Sequence, residues 1–219
     1  YVGPKRAQHS SYKPQVKGNL SSIKEAVELI ASAKKPLFYS GGGVVNSGPG
    51  ASTLLREFVR QTGAPITSTL MGLGAFPSTD ESFLGMVGMH GNYEANLAMS
   101  ECDVMICVGA RFDDRVTGRL DAFAQKSKKI HIDIDPSSIN KNVPVDIPIV
   151  GDVGHVLEDM LKVWKSTARK LDKKANASWW ATIAKWRERD CLKYLPGKDI
   201  AKPQYVLETL QKAVDGKDA

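Results

Sequence analysis

Residues 103–118, DVMICVGARFDDRVTG, are the stretch that decides the fold of this chain. Positions 104–108 are apolar throughout, which is typical of a strand covered on both faces of a sheet. Directly after them, Gly109 and Gly118 enclose two arginines and two aspartates. A loop that only reverses the chain uses Gly, Asn or Pro rather than four charges at fixed spacing. The stretch therefore predicts a buried strand followed by a functional loop.

Working outward from this strand, short apolar segments alternate with helical patterns. Further strands are predicted at PLFYS (36–40), APITS (64–68), KKIHIDIDP (128–136) and DIPIVGD (146–152). In KKIHIDIDP, period two puts Ile130, Ile132 and Ile134 on one face and His131, Asp133 and Asp135 on the other. Helices are predicted over about 21–34, 50–62, 93–100 and 153–166, the first with a capping box at 22–25, SIKE. The alternation predicts an α/β fold with a doubly wound parallel sheet.

The predicted domain organisation has three parts. Residues 1–19 form an N-terminal linker, and residues 20–166 form a central nucleotide-binding domain. Residues 167–219 are polar and basic with two amphipathic helical patterns, WWATIAKWRERDCLKYLP and KPQYVLETLQKAV. These patterns have no obvious core of their own. The segment is therefore predicted to be a C-terminal helical connector to a neighbouring domain, with a helical cap on the same domain as the alternative.

Charge and composition exclude several classes of protein. The net charge is +6, but residues 36–160 hold nine Lys/Arg against fifteen Asp/Glu, so the basic excess lies in the flanks. A nucleic-acid reader carries positive charge on a folded face, so no nucleic-acid partner is expected. No apolar run reaches the length that crosses a bilayer, and no membrane association is expected.

The cysteines and histidines do not show ligand spacing. Cys102, Cys107 and Cys191 are an odd number without a metal motif, which favours a reduced, cytoplasmic setting. Cys102 and Cys107 are expected to pack as small apolar groups. No paired-ligand motif links the four histidines. We therefore expect no metal in this chain.

Glycines and charges follow the predicted strands, where the carboxyl ends of parallel strands form a ligand crevice. Glycines let a ligand approach the main chain, and Arg111 and Arg115 offer forked donors suited to phosphate oxygens. Asp133 could accept from ribose hydroxyls. Asp113 and Asp114 are expected to hold the arginines or to accept from the ligand. Together these residues predict a dinucleotide site.

Structural interpretations of the same residues stay open at this point. The SGGG at 40–43 is a weak signal, because no G-x-G-x-x-G follows the first strand. Residues 111–114 could form a surface ion-pair cluster without a ligand. His90 could be a capping or core histidine. Asp133 and Asp135 could cap strand ends.

Four segments, in this order and spacing, carry a resemblance: STLMGLGAFP, GMHGNYEANLAM, GARFDDRVTGRLDAF and KKIHIDIDPSSINKNV. The chain resembles, over nearly its whole length, the central domain of the acetohydroxyacid synthase (acetolactate synthase) large subunit, a thiamine-diphosphate-dependent enzyme. The resemblance implies a Rossmann-like sheet that binds FAD. It also implies a parent transferase that condenses two pyruvates to 2-acetolactate and CO2, or pyruvate with 2-oxobutyrate, in branched-chain amino-acid synthesis.

Matching the family's motifs residue by residue implies a set of FAD contacts. They are Gly41, Gly42, Gly43, Thr69, Leu70, Met71, His90, Gly91, Gly109, Arg111, Asp113, Arg115, Val116, Asp133, Ile134, Gly151 and Asp152. The resemblance also places Asp114 and Arg115 near the mouth of the substrate channel. One contact does not carry over: where the family has an upstream arginine, this chain offers only Lys13 or Lys17.

The resemblance further implies that catalysis needs more than this chain. In the family, a glutamate of the first domain activates the thiamine ring, and a G-D-G…N motif of the last domain binds the diphosphate and Mg²⁺. GDVGH at 151–155 is not that motif. We expect a fragment that is inactive alone. Its expected partners are the missing N- and C-terminal domains, a homodimer or homotetramer, and a small regulatory subunit. The alternatives are another thiamine-diphosphate carboligase or decarboxylase, acting on glyoxylate or an acyl-CoA, and a stand-alone nucleotide-binding module.

Overall fold

A parallel sheet with helices on both faces organises the chain in a computed structural model that describes residues 14–168, 170–195, 197 and 199–214. The strand order is β3-β2-β1-β4-β5-β6, and every pair is parallel. The predicted doubly wound α/β fold is confirmed. The strands are β1 (Pro36–Ser40), β2 (Ile66–Ser68), β3 (Phe83–Met86), β4 (Val104–Val108), β5 (Lys128–Asp133) and β6 (Ile147–Val150).

The helices follow the strands as the sequence pattern predicts, with two short additions, α2 and α5. They are α1 (Leu20–Ser32), α2 (Gly42–Asn46), α3 (Pro49–Thr62), α4 (Tyr93–Glu101), α5 (Asp114–Thr117), α6 (Val153–Ser166), α7 (Lys173–Arg187) and α8 (Pro203–Val214). No helix in the described ranges combines the length and apolar character that a membrane crossing needs.

Alternate residues of the central strands enter two separate hydrophobic layers, because successive side chains in a strand point to opposite faces. Phe38 and Ile106 pack with α1, α3 and α6, while Tyr39 and Met105 pack with α4 and α7. Both faces of β1 and β4 are therefore covered, and all five residues of each strand are buried. This double burial explains why residues 104–108 contain no polar position.

Cys102 and Cys107 pack as small apolar groups, as predicted. Both are fully buried in the layer that contains α4. Burial raises the pKa of the Cys102 thiol to about 12, because the thiolate would lose its hydration. The Cys107 thiol, with its pKa also raised by burial, donates to the carbonyl of Ala110.

The predicted capping box at 22–25 is wrong. Helix α1 begins at Leu20, and its N-cap is Asn19, whose side-chain oxygen accepts from the main-chain N–H groups of Ser21 (2.8 Å) and Ser22 (3.2 Å). Asparagine is among the best N-cap residues, so it satisfies the first orphan N–H groups before Ser22 is reached. The helix therefore begins two residues before its predicted cap.

Strand β3 was not predicted. It has four residues, its burial is mostly partial, and Gly85 adopts a positive φ of 89° in its middle. A glycine in that region weakens the alternating pattern by which strands are recognised. The strand lies at the edge of the sheet, where it pairs with β2 through a register irregularity between Ile66 and Ser68.

Helix α7 packs onto the sheet domain, although the sequence placed a domain boundary after residue 166. Its Trp179 is buried and donates from Nε1 to the carbonyl of Pro36 (3.1 Å), and Ile183 lies in the same layer. Trp180 donates to the carbonyl of Gly63 (2.9 Å). The compact unit accordingly extends to Glu188. The predicted connector from residue 167 to a neighbouring domain stays a prediction.

Residues from Arg189 onward form a second unit. It contains α8, whose amphipathic apolar residues are exposed, among them Tyr205, Leu207 and Leu210. Within this unit the hydroxyl of Tyr194 donates to Glu208 (2.9 Å).

Replacing Trp179 with Phe tests the attachment of α7. The substitution removes the donor to the buried Pro36 carbonyl and leaves a void, so we expect the free energy of unfolding to fall by about 1–3 kcal/mol. Ser178→Ala, at an exposed position of the same helix, should change it by less than about 0.5 kcal/mol. Equal denaturant midpoints for the two variants would show that α7 contributes nothing to the core.

Candidate functional site

The site lies at the point where the order of the strands reverses. β1 and β4 are adjacent, but the chain continues from β1 toward β2 on one side and from β4 toward β5 on the other. The loops that leave their carboxyl ends diverge, which opens a crevice at this edge of the sheet. The turn after β1 and residues 109–116 after β4 form its two walls.

Backbone contact between these two loops forms the floor of the crevice. The N–H of Gly41 donates to Val108 O (3.0 Å), and the N–H of Gly43 donates to Gly109 O (2.8 Å). A Cβ on Gly41 would lie 2.4 Å from Gly109 O, and one on Gly43 would lie 2.7 Å from Gly109 Cα. The SGGG segment is therefore glycine-rich because two main chains meet there.

The loop after β2 closes a third side of the crevice. The N–H of Thr69 donates to Ser40 O (2.9 Å), and the Thr69 hydroxyl accepts from the N–H of Gly72 (3.0 Å). Leu70 and Met71 are consequently held at the rim with their side chains largely exposed. An apolar edge beside a polar floor suits a ligand that carries both rings and phosphates.

A cleft of about 800 Å³ results, and most of the predicted site residues line it. Those that line it are Gly42, Gly43, Thr69, Leu70, Met71, His90, Gly109, Arg111, Asp113, Arg115, Val116, Asp133, Ile134 and Asp152. The volume lies in the upper part of the range of about 300–1,000 Å³ that small-molecule sites occupy. The structure thus brings together residues that are more than 100 positions apart in sequence.

Four predicted residues do not line the cleft. Gly41 contributes main-chain contacts to the floor but is not part of the lining. A Cβ on Gly91 would lie 2.4 Å from Met86 O, and one on Gly151 would lie 2.9 Å from the main-chain N of Gly18, so both serve close packing. Asp114 is exposed at the start of α5 and is absent from the lining, although Arg115, its predicted partner at the channel mouth, is part of it.

Of the two upstream lysines that this chain offers where the family has an arginine, the structure describes Lys17. Lys17 is exposed and does not contribute to the lining. Lys13 lies outside the described residues. The N-terminal stretch that is described runs beside β6, where Val16 O accepts from the N–H of Asp152 (2.8 Å).

The lining also contains Ala110, which lies between the predicted Gly109 and Arg111. The lining residues that sequence reasoning missed are Asn46, Ser47, Met86, Val87, Met89 and Val153. Met86 ends β3 and Asn46 ends α2, and neither element was predicted. Had β3 been recognised, the rule that ligands bind beyond the carboxyl ends of strands would have included residues 86–89.

Arg111 and Arg115 differ in whether an ion pair holds the side chain. Arg111 pairs with Asp113 at 2.9 Å, and the two side chains are 67% and 46% exposed. Such exposed pairs contribute about 0–1 kcal/mol, so an anionic ligand can replace the carboxylate at little cost. Arg115 lines the cleft and forms no ion pair within the described part of the chain. Both guanidinium groups are thus available to an anion.

The carboxylates of the crevice have different roles. Asp152 is the N-cap of α6, where its carboxylate accepts from the Ser47 hydroxyl (2.8 and 2.9 Å) and the N–H of Gly154 (3.0 Å). Asp133, at the end of β5, accepts from the N–H of Asp135 (2.9 Å) through Oδ1 only. Within the described residues no hydrogen bond reaches its Oδ2, and the residue lines the cleft.

Asp135 caps the short 3-10 helix Pro136–Ser138, which follows β5. Its carboxylate accepts from the hydroxyl and the main-chain N–H of Ser137, both at 2.9 Å. These bonds hold the pKa of Asp135 below its usual value. The residue does not line the cleft.

The loop that carries Met89 and His90 is fixed from α4. The side-chain amide of Asn96 accepts from the N–H of Gly88 (2.9 Å) and donates to its carbonyl (3.0 Å). The N–H of Met89 donates to Arg115 O (3.3 Å), which joins this loop to residues 109–116, here called the arginine loop. His90 is exposed and contributes to the lining rather than to the core.

These features define a crevice at the carboxyl edge of a parallel sheet, and comparison with known proteins identifies the family of the chain. The model of the thiamine pyrophosphate enzyme central domain matches residues 23–160. The chain therefore belongs to the family of thiamine pyrophosphate enzyme central domains.

Curated relatives confirm the predicted resemblance to acetolactate synthase large subunits. The chain is 44% identical over 216 residues to the acetolactate synthase isozyme 3 large subunit of Escherichia coli, and 43% identical over 217 residues to the acetolactate synthase large subunit of Haemophilus influenzae. It is 43% identical over 219 residues to acetolactate synthase of Mycobacterium avium. Each alignment covers 99% of this chain but only 37%, 37% and 34% of the respective relative.

Alanine substitutions at two glycines test the floor of the crevice. Gly41→Ala forces a Cβ against Gly109 O, so we expect the free energy of unfolding to fall by about 1–3 kcal/mol. Gly50→Ala is the matched control, because nothing lies within 4 Å of that Cβ and the residue is helical. It should stabilise the chain by about 0.4–1 kcal/mol. Chemical denaturation of both variants checks this, and a neutral Gly41→Ala would contradict the contact.

Proposed function

We propose that this chain is the central domain of an acetolactate synthase large subunit and that its cleft binds FAD. The observation that carries the proposal is the pairing of two available guanidinium groups, Arg111 and Arg115, with Asp133 in one crevice at the strand-order reversal. The family match and the relatives' names support the same conclusion.

The donor set fits the parts of FAD. Arg111 and Arg115 would hold the diphosphate, since guanidinium groups bind phosphate oxygens through forked hydrogen bonds. Asp133 would accept from a ribose hydroxyl. Gly42 and Gly43 leave main chain open to the ligand, and Met71, like the neighbouring apolar lining, would contact the rings. The bound flavin would supply no net redox step to the reaction.

The proposed reaction belongs to the whole subunit. It condenses two pyruvates to 2-acetolactate with release of CO2, or pyruvate with 2-oxobutyrate, in branched-chain amino-acid synthesis. Thiamine diphosphate and Mg²⁺ would bind in other domains of the subunit, and this domain would shape the substrate channel. Arg115 lines the cleft while Asp114 is exposed beside it, which is consistent with a position at the channel mouth.

The proposed partners follow from the same family membership. The alignments leave more than 60% of each relative uncovered, so we propose N- and C-terminal domains of the same subunit as the first partners. A homodimer or homotetramer, a small regulatory subunit and a cytoplasmic location complete the proposal. The second unit, with its exposed apolar residues on α8, would belong to the connection with the C-terminal domain.

Flavin titration of the 219-residue chain tests the binding site. We expect saturable FAD binding, and Arg111→Ala should weaken it by about 1.5–3 kcal/mol, the usual contribution of a hydrogen bond to a charged group. Flavin fluorescence at increasing protein concentration gives the dissociation constant.

Arg119→Ala is the matched control for this titration. Arg119 lies in the same loop region and also pairs with an aspartate, Asp121 (2.7 Å), but it does not line the cleft. Its substitution should change the dissociation constant less than about twofold. Equal losses of FAD affinity for Arg111→Ala and Arg119→Ala would mean that binding depends on the overall positive charge and not on Arg111 itself. A folded wild-type chain that binds no FAD would overturn the proposed site.

Activity measurements test the assignment of the reaction. The full-length large subunit that contains this domain should form acetolactate from pyruvate when thiamine diphosphate, Mg²⁺ and FAD are supplied. The 219-residue chain should form none under the same conditions. Turnover by the isolated chain would refute its inactivity, and a full-length subunit that consumes glyoxylate or an acyl-CoA but not pyruvate would assign it to another reaction.

A further inference from the structure

Three successive carbonyl groups of the arginine loop accept hydrogen bonds from side chains beneath it. Two of these bonds lie at the ends of the run. His131 Nε2 lies 2.9 Å from Ala110 O, and Asn142 Nδ2 donates to Phe112 O at 2.7 Å. Neither His131 nor Asn142 lines the cleft. These side chains therefore act on the main chain of the loop rather than on anything bound in the crevice.

The middle carbonyl, that of Arg111, has a weaker bond of the same kind. The hydroxyl of Tyr39 donates to it at 3.4 Å. Burial raises the pKa of Tyr39 well above its ordinary value, so the group stays a hydroxyl and can donate. The three donors come from β1, β5 and the connection after β5, so the loop is attached to separate parts of the domain.

The protonation of His131 is determined by its surroundings. A carbonyl oxygen only accepts, so Nε2 of the neutral ring carries the proton and Nδ1 does not. The side chain is fully buried and packs edge-on against Phe112, with ring centres 5.1 Å apart. Burial lowers the pKa of His131, which keeps the ring neutral. Asp133 Oδ2 lies 3.8 Å from Nε2, beyond hydrogen-bond distance.

A histidine that served only to fill the core at this position would make the fold less stable than an apolar side chain would. Its Nδ1 is buried and has no hydrogen-bond partner within the described residues. An unpaired buried polar atom destabilises a fold, whereas an apolar side chain of similar volume would not. The hydrogen bond that His131 donates to Ala110 O therefore accounts for a histidine at this position.

The strand that carries His131 also carries a ligand-facing residue. His131 and Asp133 are two positions apart on β5, so both point to the same face of the sheet. His131 contacts the main chain just before Arg111, and Asp133 lines the cleft. One strand, β5, thereby holds both the main chain before Arg111 and the Asp133 carboxylate, and so fixes the distance between them.

We propose that His131 and Asn142 are positioning residues, which hold the main chain at 110–112 so that the Arg111 guanidinium meets the diphosphate of a dinucleotide at a fixed distance from Asp133. The inference rests on the proposed function. The exposed Arg111–Asp113 pair is too weak to give the loop one position, so the hydrogen bonds to its main-chain carbonyls supply that order.

The test compares two substitutions of His131 in the 219-residue chain, with FAD as the probe. His131→Leu removes the ring donor to Ala110 O and leaves the weaker Cys107 thiol donor in place, whereas His131→Gln keeps an amide N–H that reaches a similar point. We expect His131→Leu to raise the FAD dissociation constant about tenfold, the effect of one well-placed hydrogen bond. His131→Gln should stay within about threefold of wild type. Thermal unfolding of each variant shows whether it is folded at the titration temperature.

A double-mutant cycle separates positioning from general destabilisation. In an Arg111→Ala background, His131→Leu should have little further effect, because the group that it positions is gone. Equal loss in both backgrounds, or equal loss for Leu and Gln in folded proteins, would overturn the proposal. If His131→Leu fails to fold, Asn142→Ala, at an exposed side chain, replaces it in the double-mutant cycle. The proposal is then overturned if Asn142→Ala weakens FAD binding equally in the Arg111→Ala background, or if it does not change FAD binding at all.

The outcomes distinguish this inference from the function on which it rests. If wild type binds FAD and Arg111→Ala weakens binding, while the His131 and Asn142 variants bind as wild type does, only the positioning role is refuted. If the folded wild-type chain binds no FAD, the proposed function and the positioning role are both refuted.

Discussion

The site depends on a contact between two main chains at the centre of the sheet. The turn after β1 lies directly against Gly109, close enough that a single Cβ on Gly41 would meet a carbonyl oxygen at 2.4 Å. Because the two loops meet at their base and diverge above it, the crevice has a main-chain floor and side-chain walls. The positions of the arginine loop, the β2 loop and the end of β5 all follow from that junction.

The chemistry of the crevice is divided among elements that are distant in sequence. The arginine loop supplies cationic donors, β5 supplies a carboxylate, and the loops after β2 and β3 supply apolar surface. Side-chain hydrogen bonds hold these loops, as at Gly88, where Asn96 bonds to both the main-chain N–H and the carbonyl. A ligand of mixed polarity can therefore bind to a largely preformed surface, which lowers the entropic cost of association.

The sequence predicted the parts of this structure that repeat a simple physical pattern. The continuous apolar run of β4 identifies a strand because both of its faces are buried. The period-two alternation identifies β5, although its polar face, with His131, is buried as well. β3 was missed because Gly85 and partial burial leave four residues without a pattern. The role of Gly41 as packing rather than lining, and the attachment of α7 by Trp179, depend on contacts between distant segments, which no local pattern encodes.

A crystal structure of the chain with FAD tests the central claim most directly. The account predicts diphosphate oxygens within hydrogen-bond distance of the Arg111 or Arg115 guanidinium, with a ribose hydroxyl donating to the Asp133 carboxylate. Electron density for FAD at another surface, or in this cleft with its diphosphate away from both arginines, would contradict it.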